Sequence, residues 1–187
     1  MKYSEKKAAQ VAAYFIHREG GPIKVLKLMK LMYLAERESL HQYGEPMIGD
    51  ALVSMPHGPV MSTTLDHMND FIESEQGGWD DWISDRENHC VSLKVDENPV
   101  DNLLELSEAD IDIIDAIYND FGAMSAYEIR DYTHNHCPEW EDPNDSSSPI
   151  PYDRLLKNVG YTPEAAEEIK QRINEQTKLD NMLSLAS

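Results

Sequence analysis

Hydrophobic positions recur along this chain mostly at helical spacing, in segments separated by glycine, proline and polar clusters. Val11, Phe15 and neighbouring alanines share one side of a segment that Ser4 can cap, which predicts a first helix to His17. Gly20, Gly21 and Pro22 end it. The next segment, Ile23 to Gln42, is the most apolar stretch of the protein, and Gly44 with Pro46 stops it. Met61, Leu65, Met68 and Ile72 repeat at helical intervals opposite Asp66, Asn69, Asp70 and Glu73, until Gly77 and Gly78 break the pattern. Ser107 with Asp110, and Ser125 with Glu128, each place an acid three residues after a serine. That spacing lets the two residues cap a helix start reciprocally, and it predicts helices to Phe121 and to Asn135. A short helix from Tyr152 and a last one from Thr162 and Pro163 to Ser184 follow.

Strand patterning is confined to two places. Ala51 to Met55 reads as a short strand leading into a rigid turn, Pro56-His57-Gly58-Pro59. Trp82 and Ile83, a polar turn Asp85-Arg86-Glu87-Asn88, and Cys90, Val91, Leu93 and Val95 read as a hairpin. Glu141 to Pro151, rich in Asp, Ser and Pro, reads as a mobile loop. The expected fold is mainly α, of the α+β kind: a compact helical domain with a small β-hairpin or short sheet and a C-terminal helix. Residues 1–160 form the domain, and residues 161–187 a helix and tail that pack on it or project.

Charge narrows the functional classes. The 187 residues hold 35 acids against 16 Lys and Arg, a net charge of −19. Residues 1–45 carry eight bases and five acids, so the remaining 142 residues carry −22. Such a chain repels nucleic acid and anionic membranes outside a local basic patch. There is no apolar run of membrane-spanning length, and Met1 to Tyr14 lacks a signal-peptide pattern, so a cytoplasmic protein is expected. Two cysteines, Cys90 and Cys137, make no disulfide framework and fit that reducing compartment.

Candidate chemistry is sparse. On the second helix Val25, Met29, Met32, Tyr33 and Leu40 form an apolar arc, and Glu36 falls inside it. A carboxylate there is either a salt-bridge partner or loop cap, or a site acid with a shifted pKa. Lys24, Lys27, Lys30 and Arg37 lie opposite that arc, as a solvated face or as a phosphate grip. The two prolines fix His57, which is a base, a ligand or a hydrogen-bonded plug, with the plug favoured. His134, His136 and Cys137, with His89 and Cys90, do not match zinc spacing, so no metal is expected. No cofactor loop, nucleophile motif or paired-carboxylate motif is present, and an enzyme is not expected.

Lys27-Leu28-Met29-Lys30-Leu31-Met32-Tyr33-Leu34-Ala35-Glu36, then Tyr43 to Pro46, Gly49-Asp50 and Met55-Pro56-His57-Gly58-Pro59-Val60, resemble the Panacea domain. This is the SocA-like antitoxin domain of phage-associated and toxin–antitoxin proteins. Leu106-Ser107, Tyr118, Ser125, His136 to Trp140 and Pro151-Tyr152 extend the resemblance over about Ala9 to Val159. Lys27, Tyr33, Glu36, Pro56, His57, Gly58 and Pro59 are the motif positions. The chain opens one short helix before this domain, so no DNA-binding domain is expected ahead of it. The resemblance implies an antitoxin that binds and neutralises a cognate protein toxin encoded nearby. A protease adaptor delivering that toxin is the alternative, with DNA-binding autoregulation behind it. An acidic domain suits a basic toxin surface. Asp80, Asp81, Asp110, Asp112, Asp115, Glu139, Glu141 and Asp142 are therefore candidate contacts, with Trp140 and Trp79 as aromatic anchors. For Trp140, a core position beneath the Pro-His-Gly-Pro loop is favoured. The last helix and its Leu183-Ser184-Leu185-Ala186-Ser187 tail pack on the domain or dock a partner. A homo-oligomer is left open.

Overall fold

The computed structural model describes residues 2–94 and 99–184. One long helix organises everything else. Helix α1 (Glu5–Glu19) starts on the Ser4 side chain, which accepts the Lys7 N–H at 3.2 Å, and ends on left-handed Gly20. Ile23–Lys24 form a strand, β1, and α2 runs from Val25 to Tyr43. The predicted helix starts two residues earlier; Ile23 and Lys24 are instead held by antiparallel pairing with β4 (Cys90–Val91).

Strands β2 (Leu52–Met55) and β3 (Gly58–Met61) form a hairpin with Val53 opposite Val60. The short sheet is thus built on the proline motif, where the sequence suggests a strand and a turn. The predicted hairpin at residues 82–95 is reduced to bridges, Ile83 with Leu93 and Glu87 with Cys90, and its last residue, Val95, lies outside the described residues. Helix α3 (Ser62–Met68) is shorter than its apolar stripe, because Asp70 turns left-handed (φ 57). Phe71 and Ile72 consequently face solvent. A one-turn helix, α4 (Trp79–Trp82), and a 3₁₀ turn at Pro99–Asn102 carry no periodic signal in the sequence.

Helices α5 (Glu108–Phe121) and α6 (Ala126–His136) both open on the expected reciprocal caps. The segment 141–151 is not all loop: β5 (Ser148–Pro149) adds to β2, with Val53 opposite Pro149. Helix α7 (Tyr152–Asn158) and helix α8 (Pro163–Ser184) complete the chain. Ala166, Ile169 and Ile173 of α8 are buried, whereas Leu179 and Met182 are exposed. The first half of α8 therefore packs on the domain; the tail residues 185–187 lie outside the described residues.

Helices α1, α5, α6 and α7 and strand β3 all pack on α2. Ile113, Ile114 and Ile117 of α5, Ile129 of α6 and the alanines of α1 close around Leu28, Leu31, Met32 and Leu34. Burying each such large side chain contributes about 1.5–3 kcal/mol. Every residue of α2 from Lys27 to Glu36 is buried, so the polar residues of that stretch must find partners inside, whereas His41, Gln42 and Tyr43 of the last turn are exposed. Among the described residues, no helix is long and apolar enough to cross a membrane.

Candidate functional site

The polar residues of α2 are the internal framework of the motif region. Lys27 Nζ donates to both carboxylate oxygens of Glu19 (2.8 and 2.7 Å) and to the carbonyl of Gly122 (2.7 Å), tying α1 to the end of α5. Lys30 is 0% exposed and donates to the Pro59 carbonyl at 2.7 Å. Arg37 Nε and the Tyr33 hydroxyl both donate to Glu139 Oε1 at 2.7 Å. The expected basic face is therefore not a surface. Lys27, Lys30 and Arg37 are turned inward, because α5, α6 and β3 cover that side of the helix, and Lys24 alone of the four is exposed.

Glu36 is 0% exposed and accepts the N–H groups of Ile48 (2.7 Å) and Gly49 (3.0 Å). It is the loop cap that the apolar arc left open, holding residues 47–49 against α2. Burial nevertheless raises its pKa to about 7, against the pull of those N–H donors. Asp50 stands next in the chain and caps α3 from outside it, accepting Thr63 N–H (3.0 Å), Thr64 N–H (2.8 Å) and the Thr64 hydroxyl (2.7 Å).

The Pro-His-Gly-Pro turn sits over this framework. Gly58 has φ +92, and a Cβ there would lie 2.9 Å from Thr133 Oγ1 and 3.0 Å from Lys30 Nζ. Only glycine fits both that backbone and that approach. Trp140 closes the turn from below: its indole N–H donates to the Met55 carbonyl at 2.9 Å, and its ring stacks on His134 with centroids 4.1 Å apart. His57 is exposed at the tip and lines a cavity. The plug expectation is thus corrected, since the turn directs His57 outward and Lys30 fills the space beneath Gly58.

The candidate contact residues divide by burial. Asp80, Asp81, Asp112, Glu141 and Asp142 are exposed. Asp115 is half-buried, pairing with Arg18 and accepting the Tyr14 hydroxyl at 3.0 Å. Asp110 and Glu139 face inward. Asp110 completes the Ser107 cap and pairs with Lys7 at 2.8 Å; Glu139 is 0% exposed in the Tyr33–Arg37 cluster. Trp79 is a core residue beside Glu5, and Trp140 is half-buried in its stacked position. The exposed acids lie on α4, on α5 and just after Trp140, so they do not form one patch on a single element. His134 and His136 diverge as expected, one under Trp140 and the other against Tyr132. Among the described residues no group of three His, Cys, Asp or Glu is placed to hold a metal ion.

Burial also governs the remaining reactive groups. It pushes the Cys137 thiol up to about 12, a protonated and unreactive state. Burial, with Lys30 and Arg130 nearby, holds the His134 pKa below its ordinary value. Asp50, Lys30 and Glu139 are the framework residues that sequence reasoning missed or misplaced. For Lys30 a signal was present: Leu31 and Leu34 fall on its side of the helix.

Comparison with known proteins adds to this geometry. Neither curated proteins nor solved structures give a match. The family described as antitoxin SocA-like, Panacea domain matches residues 28–141, a narrower span than Ala9 to Val159 and one that ends beside Trp140. The match covers more than half of the chain, from the buried part of α2 through the proline hairpin to the Glu139 cluster, and the protein belongs to the antitoxin SocA-like, Panacea domain family.

Proposed function

We propose that this protein is the antitoxin of a type II toxin–antitoxin pair, a non-enzymatic cytoplasmic protein that neutralises a cognate toxin by direct contact. Family membership over residues 28–141 is the observation that carries the reading. Charge supports it. A chain of net −19 with Asp80, Asp81, Asp112, Glu141 and Asp142 exposed attracts a basic protein surface and speeds encounter with it. Asp110 and Glu139 act instead inside the domain, as a helix cap and a buried ion pair. Co-expression with the product of the adjacent gene tests the proposal: growth should be restored and the two proteins should co-purify.

A protease adaptor is the second reading, favoured by the exposed Leu179 and Met182 on the far half of α8. Removing residues 181–187 should then abolish toxin turnover while leaving neutralisation intact. Autoregulation through a basic face on α2 is not proposed, since Lys27 and Lys30 are buried.

A further inference from the structure

A cavity of about 810 Å³ opens between the start of α2, the β2–β3 turn and the turn at residues 86–89. Its volume is within the range of small-molecule sites, roughly 300–1,000 Å³. Val25, Met29, Val60 and Leu65 give it an apolar lining, and the exposed ring of Tyr127 stands at its edge.

The charges around this cavity are opposite to those of the chain. Lys24, Lys30 and Arg86 line it, and among the described residues Asp145 is the one acid of the lining. Most other bases of this acidic protein are paired with a carboxylate, as Lys7, Arg18, Lys27, Arg37 and Arg154 are. Among the described residues, none of the three cavity cations has a carboxylate within 4.0 Å. Lys30 is fully buried, and of its three ammonium hydrogens one is spent, on the Pro59 carbonyl. Arg86 is oriented by neutral acceptors, Asn69 Oδ1 at 2.8 Å and His89 Nδ1 at 2.9 Å.

The backbone adds to the same field. Lys24 is the N-cap of α2 and makes no side-chain cap, and no acid occupies the first turn. The positive end of a 19-residue helix therefore opens beside the unpaired cations. The His89 carbonyl accepts the Val25 N–H at 3.0 Å, which fixes the Arg86 turn against that helix end. A buried ammonium without a counterion is costly, and burial lowers Lys30 to about 7, so an anion that reaches it also holds it in the charged form.

We propose that this cavity binds a small organic anion, with a phosphate or carboxylate head between Lys24, Lys30 and Arg86 and an apolar, aromatic body on Val25, Met29, Val60 and Leu65. This goes beyond toxin neutralisation, and its failure leaves that reading untouched. Calorimetric titration of the full chain with 1-naphthyl phosphate, 1-naphthoate and uncharged 1-naphthol tests it. Saturable one-site binding of an anion is expected, with naphthol weaker by about tenfold or more, as the loss of one charge-assisted contact gives. Arg86→Ser and Lys24→Ser alter exposed side chains, and each should weaken anion binding several-fold at unchanged thermal stability. Lys30→Met should abolish it; should that variant not fold, the two surface variants decide. Tighter binding of either anion assigns the head group, and both results support the site. Absence of saturable binding, equal affinity for naphthol and the anions, or an affinity unmoved by the Lys24→Ser/Arg86→Ser double variant would overturn it.

Discussion

Tyr33 donates its hydroxyl hydrogen to Glu139 Oε1 at 2.7 Å, joining the middle of α2 to the last residues of the matched family segment. Arg37 meets the same oxygen, so one fully buried carboxylate serves two donors from successive turns of one helix. Breaking a buried pair by removing one partner costs about 3–5 kcal/mol, because the other charge is left uncompensated. Glu139→Ala should therefore lower stability by that order, whereas Tyr33→Phe, which removes a neutral donor, should cost about 1 kcal/mol. Urea unfolding of the two variants measures both, and equal small losses would contradict the assignment.

Glu36 and Lys30 give opposite pH dependences. Burial raises Glu36 to about 7 from an ordinary 4.5, so from pH 4.5 to 7 the native state keeps a proton that the unfolded chain has lost. Stability falls over that interval, by about 3 kcal/mol in all. Burial lowers Lys30 to about 7 from 10.5, with Arg130 adding to the effect and Cys137 opposing it. From pH 7 to 10.5 the unfolded chain holds the extra proton, and stability rises. Thermal unfolding against pH, compared with Glu36→Gln and Lys30→Met, should show each variant flattening its own limb. A variant curve parallel to the parent would refute that residue's part.

Gly58→Ala should destabilise the hairpin strongly. The positive φ of +92 and a Cβ pressed against Thr133 Oγ1 and Lys30 Nζ act together. A loss of about 2 kcal/mol or more is expected from backbone strain and displacement combined. Gly21→Ala, where a Cβ meets nothing within 4 Å, is the control and should lose much less. Differential scanning calorimetry of the two variants separates them.

Helix starts were legible because the chemistry that makes them is local. Ser4, Ser107 and Ser125 cap residues three positions ahead, and all three do so in the structure. Glu36 was legible as an anomaly, since an acid within an apolar arc demands partners. Those partners, Ile48 and Gly49, were not, because the α2–β2 loop must close before its N–H groups arrive. Lys27 and Lys30 were misplaced because helical spacing divides one helix into two sides but does not count the neighbours. Once α5, α6 and β3 cover the second side, Lys30 is in the core. Asp110 and Glu139 show the same limit: an acidic residue in sequence is not an acidic surface. The proline turn was legible as rigid but not as a hairpin, whose pairing of Val53 with Val60 spans it.

The exposed acids make the proposed recognition salt-sensitive. Changing Asp80, Asp81 and Asp112 to Asn, or Glu141 and Asp142 to Gln and Asn, removes surface charge and spares Asp110 and Glu139, although the second set also gives up the Glu141 ion pair with half-buried Arg154. Toxin association measured by stopped-flow or surface plasmon resonance should slow in at least one of these sets, and slow further as ionic strength rises. Rates that are independent of salt and of both sets would exclude steering by these residues.

Growth of cells expressing the adjacent gene product, with and without this protein, decides whether the protein neutralises a toxin. The toxin alone should arrest growth, co-expression should restore it, and the two proteins should then elute as one complex. A toxin equally lethal in the presence of the folded protein would contradict neutralisation.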